Sequence, residues 1–302
     1  MVVLSRVAAV VVTYNRKEKL GTVLDHILAQ SHAPEWIVVV DNASTDGTDK
    51  MLAEYQVDGR VTVVRLAENT GGAGGFSAGM SRAYEMGADF LWIMDDDCYA
   101  NPDALQELLS GLEKAQTTIG APLPYACSVV KWTDGSICEM NNPGTTWDWG
   151  RLLSLGQQAV LVRHCSFVSV LIPRGTLTRF GLPLEPYFIW FDDMEYTLRT
   201  APAGPGVQVL SSVVVHDLPV NQGVNFGQVN DKNVWKYEYG ARNEASYRLH
   251  HEGPGALLSF AIRVLRGMAE GHVSRSLRVR ILKSLLRGVT FNPKPRFPRS
   301  VL

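Results

Sequence analysis

The sequence predicts an α/β layer fold with a mostly parallel central sheet, and three observations lead to it. The first third alternates β-branched runs with segments of helical periodicity, the order from which helix-covered parallel sheets are built. The runs are apolar almost without interruption, as strands buried on both faces require. Polar residues gather just beyond the runs, where open α/β sheets place their ligands.

Taken in order, "RVAAVVVTYN" is the first strand, and the helix after it is marked by Leu20, Val23, Leu24, Ile27 and Leu28 at helical spacing. Arg6 interrupts the apolar start and no small-residue cleavage site precedes "TYNRK", so a buried strand is expected there rather than a leader peptide. "PEWIVVVDNAS" and "RVTVVRL" are strands two and three. A glycine-rich loop, "ENTGGAGG", runs into a helix-like segment, and "FLWIMDDD" is a fourth strand ending on carboxylates. Residues 101–118 form a helix, with Pro102 in its first turn and Asp103 at its positive end. Between 119 and 180 the pattern is short apolar runs and turns, such as Asn142-Pro143-Gly144. "VQVLSSVVVH" is a further strand; beyond about residue 218 the chain turns polar and then helical. We place a boundary there, with an α/β unit over 1–217 and a helical region over 218–302.

Composition narrows the class. Apolar content of 46% and charged content of 20% are those of a globular protein. No apolar run approaches the roughly 20 residues of a bilayer span. Cys98, Cys127, Cys138 and Cys165 form no CxxC pair, which argues for reduced thiols and against a zinc knuckle or disulfide scaffold. Net charge is −1, yet residues 260–302 carry ten Lys or Arg against one acid, leaving an acidic body. That asymmetry suggests a tail that meets an anionic surface; no nucleic-acid partner is expected of the body.

The chemistry begins at the triplet Asp95-Asp96-Asp97. Side chains alternate in an extended segment, so Asp95 and Asp97 share one side and Asp96 points away. Two clustered carboxylates repel unless a cation offsets them, and a divalent, oxygen-seeking ion shared with a diphosphate is the economical solution. The glycines are less specific. Gly72-x-Gly74-x-x-Ser77, with Asp95 21 residues after Gly74, approximates a dinucleotide fingerprint. Against that, "AENT" separates the third strand from the glycines, and a ribose needs one carboxylate rather than three. A tight turn with close packing is the plain alternative. In "PYFIWFDDMEYTLR", Asp192, Asp193 and Glu195 follow an aromatic run and open a helix. They either complement its dipole or supply a general base whose basicity rises by desolvation beside rings that stack on sugars. His216, ending a strand, is either a packing histidine or a further metal ligand.

Together "VVTYNR", "VVVDNASTDGT", "ENTGGAGG", "MDDD", "FDDMEY" and "VVVH" resemble family 2 glycosyltransferases of the GT-A fold, over roughly residues 7–247. Within that family "NTGGAGGFSAGM…MDDD" and "KYEYGARNEASY" resemble the initiating galactofuranosyltransferases of bacterial arabinogalactan synthesis; rhamnosyltransferases share most of these motifs. The resemblance implies a GT-A fold with a C-terminal helical extension and an inverting transfer from a UDP-sugar. Thr13, Asn15 and Arg16 would line the uridine pocket and Asp41 would contact uracil. Asn69, Gly71, Gly72 and Gly74 would approach the donor, and Asp96 is grouped with them. Asp95, Asp97 and His216 would hold Mn²⁺ or Mg²⁺. Asp193 would be the catalytic base, with Asp192 beside it. Trp190, Tyr237, Arg242 and Asn243 would face the acceptor. The acceptor implied is a polyprenyl-diphosphate-linked glycan, which places the enzyme on the cytosolic face of the membrane. The apolar stripe Leu277, Ile281, Leu282, Leu285, Leu286 and Val289, flanked by arginines, would lie in that interface.

Overall fold

The computed structural model describes residues 5–299. The alternating first third is β1 (Val7–Thr13), α1 (Lys17–Leu28), β2 (Trp36–Asp41), α2 (Thr48–Tyr55), β3 (Val61–Arg65), α3 (Gly71–Glu85) and β4 (Phe90–Asp95). β5 (Cys98–Ala100), α4 (Ala104–Ile119), β6 (Ala126–Lys131), β7 (Gly144–Thr145), α5 (Arg151–Ser154) and β8 (Ala159–His164) follow. β9 (Val170–Pro173), α6 (Arg174–Phe180), α7 (Asp192–Arg199) and β10 (Gly206–His216) lead to three helices: α8 (Val234–Tyr247), α9 (Pro254–Glu270) and α10 (Arg275–Thr290).

The strands form one sheet in the order β3-β2-β1-β4-β9-β6-β10-β8-β7, with β5 paired to β10. The first four strands are parallel. Beyond β4 the sheet is mixed: β9 inserts antiparallel between β4 and β6, while β6 and β10 run parallel. Alternation of side chains splits the core into two layers. Val7, Ala9 and Val11 face α1 and α4 through Leu24, Ile27, Leu105 and Leu108. Ala8, Val10 and Val12 face α3 through Phe76 and Met80. Register then aligns the functional edge, because Val12 pairs with both Val40 and Asp95, and Thr13 pairs with Asp41.

The glycines expected in a loop lie in α3 itself, so the packing reading prevails over the flexible loop. A Cβ on Gly75 would come within 2.3 Å of the Val12 side chain, and one on Gly79 within 2.5 Å of Val10. Their absence lets the helix sit directly on β1. Gly71 is the exception that also needs its backbone freedom: its φ is +71°, and a Cβ there would meet the Phe188 carbonyl at 2.0 Å.

The last three helices share a core of their own, in which Val234, Tyr237, Phe260, Val264, Leu277, Ile281 and Leu285 are buried. Burying each large aliphatic side chain contributes roughly 1.5–3 kcal/mol. The inner face of α10 therefore runs through Leu277, Ile281, Ser284, Leu285 and Gly288. Of the stripe expected from apolar spacing, Leu277, Ile281 and Leu285 face inward and Leu282 packs beside them, while Leu286 and Val289 remain exposed at 66% and 37%. The reason is close approach: a Cβ on Gly288 would lie 2.5 Å from the Arg242 carbonyl of α8, so small residues occupy the contact and push larger ones outward. Beyond α10 the chain turns back onto the α/β half, where the amide of Leu182 donates to the carbonyl of Arg296 at 2.8 Å. Among the described residues, no helix is long and apolar enough to cross a membrane.

Candidate active site

A cleft of about 400 Å³ lies at the carboxyl edge of the sheet and is lined by Arg16, Gly72, Asp95, Asp97, Trp190, Asp192, Asp193 and His216. Four elements bring these together. β4 ends on Asp95, and the turn into β5 carries Asp96 and Asp97. Because β5 pairs antiparallel with β10, Cys98 sits opposite His216, which puts the histidine beside the triplet. Ligand atoms of Asp95, Asp97 and His216 all lie within 4.8 Å of one another.

The expected division of the triplet is visible in its hydrogen bonds. Asp96 turns toward β1 and accepts from the Thr13 hydroxyl at 2.7 Å. Asp97 Oδ1 faces His216 Nε2 at 3.1 Å. Arg16 Nη1 reaches both, at 3.0 Å from Asp96 Oδ1 and 2.6 Å from Asp97 Oδ2. Arg16 thus sits on the carboxylates rather than apart from them with Asn15, whose side-chain oxygen accepts from the amide of Thr45 at 2.7 Å. Burial raises Asp95, and the nearby Asp97 charge adds to it, bringing its pKa to about 7. Burial also works on Asp97, but the His216 hydrogen bond and the His216 and Arg16 charges outweigh it and hold that carboxyl low. Burial alone would lower His216; its bond to Asp97 and the surrounding carboxylates raise it to about 9.

These groups fit a divalent cation. Two carboxylate oxygens and an imidazole nitrogen are a donor set that Mn²⁺ accepts readily. His216 Nδ1 is engaged by Asn141 Oδ1 at 2.7 Å, the outer hydrogen bond that fixes a ligating tautomer and leaves Nε2 for the ion. Without an ion, a proton on His216 supplies the positive charge the pair of aspartates demands.

The second acidic cluster opens α7. Asp192 and Asp193 stand at its N-terminus after Phe191, and the amide of Met194 donates to Asp193 Oδ1 at 2.6 Å. Burial raises both carboxyls. Asp193 reaches about 6, restrained by backbone amides, while Asp192 is pushed well above the carboxylate range by burial and then by the Asp193 charge. The pair is therefore unequal, with Asp193 the readier base and Asp192 the carboxyl that burial and its neighbour's charge push up further.

The aromatic run before α7 is strained: Phe188, Trp190 and Phe191 all have φ between 64° and 70°. Asn243, fully buried on α8, clamps it by donating to the carbonyls of Tyr187 (2.9 Å), Ile189 (3.2 Å) and Trp190 (2.9 Å). Arg242 donates to the carbonyl of Pro186 at 2.7 Å and stacks over Phe291. Tyr237 packs edge-on against Trp190 behind the cleft. Of the four residues assigned to the acceptor, only Trp190 lines the cleft; the other three hold its wall in place.

On the far side of β1, Asp41 is buried at the end of β2. Its Oδ1 accepts from the amide of Ser44 at 2.8 Å and its Oδ2 lies 3.4 Å from Arg65 Nη1. Asn69 Oδ1 accepts from the amide of Gly71 at 2.8 Å, shaping the entrance to α3. Sequence reasoning missed Asn141, which orients His216. It stands beside a turn signal, Asn142-Pro143-Gly144, and nothing local distinguishes it from an ordinary turn asparagine. It also missed Ser166 and Phe167, which line the cleft between β8 and β9.

An open α/β sheet with Asp95 ending its fourth strand, Asp97 and His216 beside it and a buried carboxylate pair across one cleft is the arrangement a glycosyltransferase of the GT-A fold would use. Comparison with known proteins agrees. The chain belongs to glycosyl transferase family 2, whose model matches residues 8–165, just over half its length. It is 31% identical over 214 residues to galactofuranosyltransferase GlfT1 of Mycobacterium tuberculosis, covering 66% of this chain and 65% of that one. With GlfT1 of Mycolicibacterium smegmatis it is 40% identical over 105 residues, 34% of each chain. The matches thus span one third to two thirds of these relatives. Among solved structures, GalNAc-T7 with UDP, GalNAc and Mn²⁺ superposes with a TM-score of 0.63 at 16% identity, over 82% of this chain and 48% of that one. At that identity the likeness speaks for the fold. The dinucleotide reading loses its footing to the family match, although Gly72 and Gly74 do fall in the first turn of α3.

Proposed function

We propose that the protein is an inverting, cation-dependent galactofuranosyltransferase that moves the sugar from UDP-galactofuranose to a lipid-diphosphate-linked glycan during cell-wall galactan initiation. One observation carries the reading: the Asp95–Asp97–His216 trio and the Asp193 carboxylate line the same cleft. In this reading the trio holds the diphosphate and Asp193 accepts a proton on the other side of one bound sugar. The similarity to the GlfT1 proteins supports the choice of donor.

In this reading Thr13, Asn15, Asp41, Asn69 and the start of α3 form the donor's nucleoside side. Asp193, ionised near neutral pH, takes the proton from an acceptor hydroxyl as that oxygen attacks the anomeric carbon. Asp192 beside it, its carboxyl pushed up by burial, positions the base or the acceptor. Trp190 offers a ring face to the sugar, and the bond to the UDP oxygen breaks on the opposite side, inverting the anomeric centre. Mn²⁺ or Mg²⁺ held by Asp95, Asp97 and His216 would offset charge on the departing diphosphate. Residues 218–302 form the acceptor and membrane-facing region, at the cytosolic surface of the cell membrane.

The test is nucleotide release from UDP-galactofuranose and from dTDP-rhamnose, each with a rhamnosyl-GlcNAc lipid analogue, in Mn²⁺ or EDTA. Acceptor- and cation-dependent UDP release from the first donor alone is the expected outcome. Release from dTDP-rhamnose alone would overturn the donor assignment and keep the site.

A further inference from the structure

A second, larger groove of about 980 Å³ adjoins the catalytic cleft and shares Met194, Val224, Phe226 and Glu244 with it. One wall is α9, which presents Ser259, Ile262, Arg263, Arg266 and Glu270 to it. The opposite wall is the segment 222–228, rich in amides. Two features of α9 set this groove apart from a simple extension for sugars. Arg263 and Arg248 are already held by Glu244, at 2.5 and 2.9 Å, whereas Arg266 is exposed and enters no ion pair among the described residues. The flank of the helix next to that wall is apolar and uncovered: Leu258, Ile262 and Leu265 are 62%, 40% and 45% exposed at spacings of four and three residues. Ile262 belongs to both surfaces, so the apolar flank begins where the groove ends.

A cation without a partner inside a groove, with an aliphatic stripe along its rim, matches an amphiphile whose anionic head and apolar tail are joined. Building on the transfer reading above, we propose that this groove is a binding site for a long-chain diphosphate. Its head lies at Arg266, its chain along Leu258, Ile262 and Leu265, and its distal end points into the catalytic cleft. The lining carries Arg248, Arg263 and Arg266 against Glu139, Glu244 and Glu270; with Glu244 holding the first two arginines, Arg266 is the cation left to meet an anionic head. A free phosphate would use Arg266 alone and gain nothing from the stripe; an amphiphile uses both, since chain burial adds affinity in proportion to apolar area. The site assigns α9, rather than α10 whose inner face packs on α8, to the lipid.

The experiment titrates the whole protein with farnesyl diphosphate and with inorganic pyrophosphate by calorimetry. EDTA is present throughout, so that the Asp95–Asp97–His216 trio cannot capture either through a cation. Phosphatidylglycerol vesicles lacking any diphosphate lipid form the third arm. Farnesyl diphosphate should bind at least ~10-fold more tightly than pyrophosphate. Leu258→Gln with Leu265→Gln should abolish that advantage, and Arg266→Gln should weaken both ligands. All three positions are exposed, so unchanged melting temperatures will show that the fold is intact. Equal affinity for the two diphosphates, or an advantage that survives the double variant, would overturn the site. So would binding to phosphatidylglycerol vesicles that accounts for all lipid affinity, because the surface would then be a bulk membrane contact. UDP binding in Mn²⁺ is measured on the same samples; its failure would count against the donor reading and leave this result standing.

Discussion

The two acidic clusters of the cleft are built from the same side chain and solve opposite problems. Around Asp95–Asp97 the chain supplies positive charge, from Arg16 at 2.6 Å and His216 at 3.1 Å, so carboxylates are gathered and kept ready for a cation. Around Asp192–Asp193 it supplies apolar rings and backbone amides and no cationic partner within ion-pair distance among the described residues. There burial pushes both carboxyls up, Asp192 further than Asp193. The lesson is that neighbouring aspartates say little by themselves. What surrounds them decides whether they wait for a metal or for a proton.

The sharpest way to break this comparison is Asp193→Asn. If the second cluster handles a proton, turnover should fall by roughly 10²–10⁴-fold, while UDP affinity in Mn²⁺ stays within a few-fold by calorimetry. Collapse of UDP binding would make the two clusters one donor site. Asp97→Asn is the converse and somewhat smaller: UDP affinity in Mn²⁺ should drop by roughly 10²-fold, because a charged, hydrogen-bonded partner is lost. In EDTA the same variant should bind UDP as the parent does.

Acidity sharpens the contrast further. If Asp193 is the base it works only when ionised, so kcat should fall about tenfold per pH unit below about 6. The stability consequence has the opposite sign. A carboxyl raised by burial favours the folded state fully below its unfolded pKa of 3.8, and that contribution is lost as pH rises through about 6. Activity and this increment of stability should therefore move in opposite directions over the same window, and the increment should vanish in Asp193→Asn.

The smallest effect tests the wall rather than the chemistry. Asn243→Ala removes three hydrogen bonds to the strained run at 187–190. It should cost about 1–3 kcal/mol of stability in denaturant titrations and a modest share of turnover through misplacement of Trp190. Binding of UDP, seated on the other half of the cleft, should be spared.

The sequence made the first cluster easy to read, because a strand that ends in three carboxylates advertises itself and β1 to β4 are long apolar runs. Three things stayed hidden. The glycines of α3 read as a loop, since a missing side chain looks the same whether it grants freedom or close contact; Val10 and Val12 decide for contact. The edge of the α10 face was misjudged because periodicity counts apolar residues, whereas the tightest contact there runs through Ser284 and Gly288. Residues 119–180 were opaque because their strands are short and pair with distant ones, as β9 does with β4 across about eighty residues. Arg242 and Asn243 were singled out by motif, but only the fold reveals that they act through the backbone of another segment.

The return of the chain after α10 bears on how the enzyme comes into being. Leu182 and Gly181, just ahead of the strained run, rest on the backbone of Arg296, and Phe291 stacks between Tyr187 and Arg242. A ribosome producing this chain from its N-terminus exposes the whole α/β sheet before those supports exist. The nascent sheet waits for those supports until residue 296 emerges, so a chain cut before Phe291 would keep most of its fold yet leave the strained run without its props.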